Sequence, residues 1–225
     1  MYFDTHLHLI NENEIIKAHK KNINGFIINA TTENEWEAIT TLSKKYPFVY
    51  GAIGIHPWFI QSASQNWEEK MEKLLQNNTF LMIGEIGIDG LKPDIEKQTN
   101  IFLSSLNLAK KYNRSVHIHA VKSWNNILPI IKNFSELTFL FHRFNASEEI
   151  IQELNKYDAW YSVNSPTNIS KLPINRVLTE TDSDTETYNY NKFITLVDNF
   201  PIHSQQLKEN FYQFLKKSGE LIHAK

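Results

Sequence analysis

The 225-residue chain contains no cysteine. This excludes disulfides, thiolate metal sites and a cysteine nucleophile, and it fits a cytoplasmic protein. No stretch approaches the ~18 consecutive apolar residues of a membrane-spanning helix, so no membrane partner is expected. The opening segment "MYFDTHLHL" has no basic region followed by an apolar run, so no secretory signal is expected. The formal net charge is only −2, which argues against a broad basic surface for tracking nucleic acid and leaves room for a local patch. There is no internal repeat, low-complexity segment or evident linker. With 41% hydrophobic and 21% charged residues, the composition is that of an ordinary globular chain, long enough to bury a core without staples. A single domain over residues 1–225 and a monomer are the expectation.

What is present begins at residue 3. In "FDTHLHL", Asp4, His6 and His8 occupy alternate positions in an apolar frame. Side chains alternate along a strand, so all three project to one face. Burying a carboxylate beside two imidazoles is costly unless they meet a partner. A metal ion is one, since neutral imidazole is a common ligand. Seven further apolar, β-branched runs follow, at 25–31, 48–54, 80–87, 115–120, 137–143, 159–164 and 176–182. Between them lie segments such as "ENEWEAITTLSKKY", "NWEEKMEKLLQNN" and "EKQTNIFLSSLNLAKKY". Their apolar residues recur with helical spacing. Eight strands alternating with helices predict an α/β protein of the (β/α)8 TIM-barrel class. An open doubly wound sheet is the alternative, but no glycine-rich phosphate loop follows the first strand. The segments around strands seven and eight are short, which predicts a barrel trimmed there. A final helix carries Leu207, Phe211, Phe214 and Leu215 on one face.

The ionisable residues fall at or near strand ends. His6 and His8 close strand one, Glu85 ends strand four, and His119 ends strand five. His142 ends strand six and Asp182 strand eight. In a barrel the C-terminal strand ends converge on the face where active sites are built. Four histidines and two carboxylates converging there make a metal cluster. Six protein ligands exceed the needs of one catalytic ion with an open position, which suggests two metals. Glu85 is the natural bridge, having two oxygens to share. His117 shares the face of His119 and is a deeper alternative ligand, with His119 preferred because ligands cluster at strand ends. His19, His203 and His223 are read as surface residues.

The motifs "FDTHLHL", "GIHPW", "GEIGID", "HIHA", "FHRF" and "ETDSD", spanning residues 3 to 184, resemble the ordered motif series of the TatD family of metal-dependent hydrolases. The resemblance implies an amidohydrolase-like barrel, a binuclear metal site and hydrolysis of phosphodiester bonds, with DNA the substrate named for the family. Carried over by position, it assigns His6, His8, Glu85 and Asp182 to one metal and Glu85, His119 and His142 to the other. It gives Glu85 and Asp182 the catalytic roles, Asp182 orienting the attacking water or accepting its proton. It places His56 facing the cavity without ligating, and Asp4, Asp89 and Glu180 as residues that position ligands through hydrogen bonds. The chemistry agrees: two metals ~3.5–4 Å apart activate a water and clamp a phosphate, with no serine or cysteine nucleophile needed. Histidine and carboxylate donors suit zinc, manganese, nickel or iron better than magnesium. Trp58 is a candidate for stacking on a base, with packing in its loop the alternative.

The chain departs from the family pattern in one place. Val121 stands two residues after His119, where many members carry an arginine taken to bind substrate phosphate. Lys122 is the neighbouring substitute, without arginine's bidentate contact, and Arg143 is a second candidate anion partner. The expected partner is a nucleic acid or nucleotide phosphodiester. Two other readings stand beside it. One is an amidohydrolase acting on an amide or lactone, although such barrels commonly bridge their metals with a carboxylated lysine on strand four, where this chain has Glu85. The other is a barrel that binds metal without turnover.

Overall fold

The computed structural model describes residues 1–167, 169–184 and 186–218. Eight strands form one parallel sheet in sequential order: β1 Tyr2–Leu7, β2 Ile23–Asn29, β3 Val49–Ile53, β4 Met82–Asp89, β5 Val116–Val121, β6 Thr138–Phe141, β7 Asp158–Val163 and β8 Val177–Thr179. The ring closes where β8 meets β1. Thr179 Oγ1 donates to the Phe3 carbonyl (3.1 Å), and the Asp182 N–H donates to the His6 carbonyl (2.9 Å). The His8 N–H donates to the Ser183 carbonyl at 2.8 Å. This is the predicted (β/α)8 barrel. No helix among the described residues is long and apolar enough to cross a membrane.

Outside the sheet run α1 Glu12–Lys20, α2 Trp36–Lys45, α3 Trp67–Asn77, α4 Ile95–Tyr112, α5 Trp124–Ile131, α6 Glu148–Leu154, α7 Tyr190–Asp198 and α8 Ser204–Lys217. Each reads from its sequence. Asn11 caps α1 by accepting the Asn13 and Glu14 N–H groups, and Glu12 and Glu14 sit favourably in its first turn. In α4 the buried residues are Gln98, Ile101, Phe102, Ser105, Leu106, Leu108 and Ala109, a helical stripe facing the sheet. The trimming lies between β7 and β8. There the described chain makes only two short 3-10 turns, Ile169–Lys171 and Ile174–Arg176, in place of an α-helix.

The predicted final helix becomes the plug of the barrel. Phe211, Phe214 and Leu215 of α8 pack with Phe3, Ile27, Met82, Leu140, Trp160 and Leu178 from the strands. Phe211 stacks on Phe3 with ring centroids 4.4 Å apart. Gly25 makes room for it, since a Cβ there would lie 2.6 Å from Phe211 Cζ. Asn210 fastens the plug by donating to the Ile174 and Val177 carbonyls. With this end sealed, the other end of the barrel is left open.

One histidine reading changes, and the alternative ligand is located. His19 is half-buried, not a surface residue: its ring stacks on Phe48 at 3.6 Å and its Nδ1 pairs with the Ile23 carbonyl at 3.0 Å. His117 is fully buried inside the barrel, against Phe214 and with Nε2 on Met82 Sδ at 3.2 Å, below the cluster described next. His203 is exposed, as expected, and caps α8. His223 lies outside the described residues.

Candidate metal centre

Strand lengths set where the site residues stand. Glu85 lies in the middle of β4, not at its end, because the strand runs on to Asp89. His8, His142 and Asp182 sit just past their strands, which end at Leu7, Phe141 and Thr179. Arg143 and Asp182 turn the chain there with positive φ (41° and 53°). All open onto one cavity of about 780 Å³ at the C-terminal end of the barrel.

Glu85 is the centre of the arrangement. Its Oε2 lies 3.1 Å from His6 Nε2 and 3.3 Å from His8 Nε2. Its Oε1 lies 2.7 Å from His142 Nε2, 2.8 Å from His119 Nδ1 and 3.2 Å from His56 Nε2. Asp182 joins the first group, with Oδ1 3.5 Å from His8 Nε2 and 4.0 Å from His6 Nε2. The two oxygens of one buried carboxylate thus face two separate sets of imidazoles.

The surrounding hydrogen bonds choose the tautomers. His8 Nδ1 donates to the Asn29 carbonyl at 2.8 Å, which leaves the Nε2 lone pair for the site. His119 Nε2 donates to Asp89 Oδ2 at 3.2 Å, which leaves Nδ1 for the site. His56 is the opposite case. Its Nδ1 accepts the Trp58 N–H at 3.1 Å, so the neutral ring carries its proton on Nε2 and donates toward Glu85. His56 therefore reaches the cluster as closely as a ligand does but offers a proton there and not a lone pair.

Electrostatics follow from crowding. Burial works to raise the Glu85 carboxyl, but the surrounding imidazoles of His142, His56, His6 and His119 outweigh it and hold the group well below the usual carboxylate range. Burial lowers His142, yet Glu85, Glu180 and Asp182 carry it up to about 9. Burial opposes a charge on His8 as well, and Asp182 and Glu85 raise it well above its ordinary value. His6 falls to about 3, chiefly through burial and the neighbouring His142 charge. Asp182 is held down to about 2 despite its burial by His8, His6 and His142. The protein alone thus gathers positive charge onto imidazoles at the spot where its carboxylates converge.

Three polar residues brace this group in different ways. Glu180 is fully buried, accepts the Arg143 N–H at 2.7 Å and approaches His142 Nδ1 at 3.8 Å, and burial pushes it up to about 7. Asp89 holds His119. Among the described residues Asp4 is hydrogen-bonded to no imidazole side chain. It accepts from Thr181 N–H (2.9 Å), Thr181 Oγ1 (2.7 Å) and Tyr188 OH (2.7 Å), and so fixes the turn that carries Asp182.

The residues expected to meet substrate divide. Trp58 is 54% exposed at the cavity wall, its Nε1 donating to Asp89 Oδ2 at 2.6 Å. Arg143 lines the cavity and its Nη1 donates to Asp182 Oδ2 at 3.1 Å. Lys122, the neighbouring substitute for the family arginine, is not among the residues that line the cavity. The chain takes positive φ (48°) there and the residue is exposed to solvent. Lys92, from the loop after β4, lines it instead, beside Leu91 and Phe59. The signal for Lys92 was its place just after the fourth strand, in a βα loop of the active face. Asp184 also lines the cavity, from a segment that sequence reasoning gave no role.

The profile described as "TatD related DNase" matches residues 3–197. The "Uncharacterized metal-dependent hydrolase MJ1582" of Methanocaldococcus jannaschii is 28% identical over 198 residues, covering 81% of this chain and 78% of that protein. Human "Deoxyribonuclease TATDN3" is 23% identical over 192 residues, covering 74% and 69%. The crystal structure of YjjV, a TatD homologue from Escherichia coli, superposes with a TM-score of 0.81 at 21% identity, covering 95% of this chain and 97% of that one. With a family match running from the first histidine pair past Asp182, the chain belongs to the TatD-related family of metal-dependent hydrolases.

Proposed function

We propose that the chain is a binuclear divalent-metal phosphodiesterase acting on nucleic acid, DNA first among the candidates. The observation that carries this reading is Glu85, whose two oxygens face two sets of imidazoles on the floor of an open cavity. The donor set fits metal ions. Four ligands at ~2.0–2.2 Å around a tetrahedral zinc stand about 3.3–3.6 Å from one another. The first group, with contacts of 3.1, 3.3, 3.5 and 4.0 Å, brackets that spacing. The second is closer, at 2.7 to 3.1 Å, with His142 Nε2 set between Glu85 Oε1 and His119 Nδ1. His6, His8, Asp182 and Glu85 Oε2 would hold one ion, and Glu85 Oε1, His119 and His142 the other. Histidine and carboxylate donors suit zinc, manganese, nickel or iron.

Two such ions supply an activated water and neutralise charge on phosphoryl oxygens. The protein supplies the rest. Asp182 presents Oδ1 to the cluster and Oδ2 to Arg143, so it is placed to orient the water and take its proton. His56 directs its Nε2–H into the site, where it can donate to a phosphoryl oxygen. Arg143 and Trp58 stand at the cavity wall to meet phosphate and base. Human TATDN3 carries the name deoxyribonuclease, which supports DNA. An amide or lactone substrate is disfavoured because Glu85, not lysine, occupies β4.

The test loads purified protein with manganese or zinc and follows an end-labelled DNA oligonucleotide with and without chelator. Chelator-sensitive cleavage that Asp182→Ala abolishes, with the fold retained by circular dichroism, supports the reading. Metal uptake with no cleavage of DNA, RNA or a small phosphodiester refutes it and leaves a metal-binding barrel without turnover.

A further inference from the structure

Apart from the histidines of the cluster, two cationic side chains among the described residues line the cavity, Arg143 and Lys92. Arg143 is engaged with Asp182. Lys92 makes no ion pair among the described residues. Its ammonium rests over the exposed Trp58 ring, 4.3 Å from the centroid. A cation on a solvent-facing aromatic ring is held weakly and yields readily to an anion.

The loop that presents Lys92 is rigidly built. Asp89 Oδ1 accepts the Leu91 N–H at 2.9 Å, and the Asp89 carbonyl accepts the Lys92 N–H at 3.1 Å. Buried Gln98 accepts the Asp89 N–H at 2.8 Å and donates to the Pro93 carbonyl at 2.8 Å. Pro93 itself biases Lys92 toward extended backbone. Meanwhile Asp89 Oδ2 holds both Trp58 Nε1 and His119 Nε2. One buried carboxylate thus sets the ring, the loop bearing Lys92 and a residue of the metal cluster in a single frame. The ammonium is anchored on the indole and not on the carboxylates of the cluster, so it is set back from the reacting phosphoryl group.

We propose that Lys92 binds a phosphate of the substrate strand next to the one that is cleaved, and that in moving to it the ammonium vacates the face of Trp58 for the adjoining base. The proposal rests on the nucleic-acid reading above and makes Lys92 a specificity-determining residue. It selects chains with a neighbouring phosphate over esters with a single one. No bond forms or breaks at Lys92, and the exchange is a cation–ring contact for an ammonium–phosphate contact with the ring then free to stack.

The test measures binding of a fluorescent single-stranded phosphorothioate oligonucleotide, which resists cleavage, to metal-loaded protein by anisotropy. Salt is varied from about 50 to 200 mM. Lys92→Gln is expected to weaken binding about 5- to 10-fold and to flatten the slope of log Kd against log salt by about 0.7, the loss of one single-strand phosphate contact. Lys92→Arg should restore the slope. Lys97→Gln, which removes the same charge from α4 nearby, should leave it as in wild type. A Lys92→Gln slope equal to wild type, or no binding by wild-type protein, overturns the proposal. The two readings fail separately. Binding with a Lys92-dependent slope but no cleavage of an ordinary oligonucleotide refutes the phosphodiesterase and keeps Lys92. Cleavage with a Lys92-independent slope does the reverse.

Discussion

Replacing Asp89 by asparagine tests whether the cluster is two sites or one. The Asp89 side chain is 3% exposed and receives three N–H groups: His119 Nε2 (3.2 Å), Trp58 Nε1 (2.6 Å) and Leu91 N (2.9 Å). Asparagine keeps the size but offers one accepting oxygen. If that oxygen faces His119 and Trp58, the amide NH2 meets the Leu91 N–H; if it turns, the NH2 meets the ring donors. Either way at least one buried donor loses its acceptor, at about 1–3 kcal/mol. The second consequence falls on metal affinity. His119 presents Nδ1 to Glu85 because Asp89 holds the proton on Nε2. Losing such an outer partner costs about 10- to 100-fold in metal affinity, roughly 1.4–2.7 kcal/mol. Among the described residues, His6, His8 and Asp182 have no hydrogen bond or ion pair with Asp89, so an ion held by them should be unaffected. Titration of metal-free Asp89→Asn with zinc against a chromophoric chelator should therefore show one tight equivalent kept and the other weakened 10- to 100-fold. Two equivalents weakened alike, or neither weakened, would refute the division of ligands between the oxygens of Glu85.

Three further substitutions probe other parts of the account. Glu85→Gln removes the charge that both groups share, so elemental analysis should find at most one tightly held metal per chain. Metal-dependent cleavage should fall by at least about a hundredfold, since a shared ligand matters more than its supporting partners. Phe214→Ala empties the plug between Trp160 and His117, and urea denaturation should show a loss of about 3–5 kcal/mol. Tyr188→Phe removes one of the donors to the buried Asp4 carboxylate. It should cost about 1–3 kcal/mol in the same assay.

The sequence carried the architecture because a barrel repeats one unit. Each strand of "GFIINAT" or "HIHA" type announces itself by β-branched residues between helical stripes, and the ligands stand where one strand face meets one end of the barrel. Alternation placed Asp4, His6 and His8 on a common face, yet Asp4 uses that position to grip Thr181 and Tyr188, which are 177 and 184 residues away. No local pattern contains such a pairing. Glu85 was misplaced to a strand end because β4 is longer than its neighbours. Lys92, which had no role in the sequence pattern, lines the cavity where Lys122 does not, for a related reason. Adjacent residues leave a strand in different directions, and positive φ at Lys122 turns it out of the site. The family resemblance placed His56 facing the cavity, but only the Trp58 N–H on Nδ1 tells its proton from a lone pair. His19 looked like a surface residue because nothing in its helix announces Phe48, which meets it from β3's approach.

The most direct measurement is the electron paramagnetic resonance spectrum of the protein loaded with two equivalents of manganese. Two ions bridged by the carboxylate of Glu85 at ~3.5–4 Å would be exchange-coupled, and the account predicts a coupled spectrum that collapses in Glu85→Gln. The six-line signal of isolated manganese, or uptake that stops at one ion per chain, would contradict it.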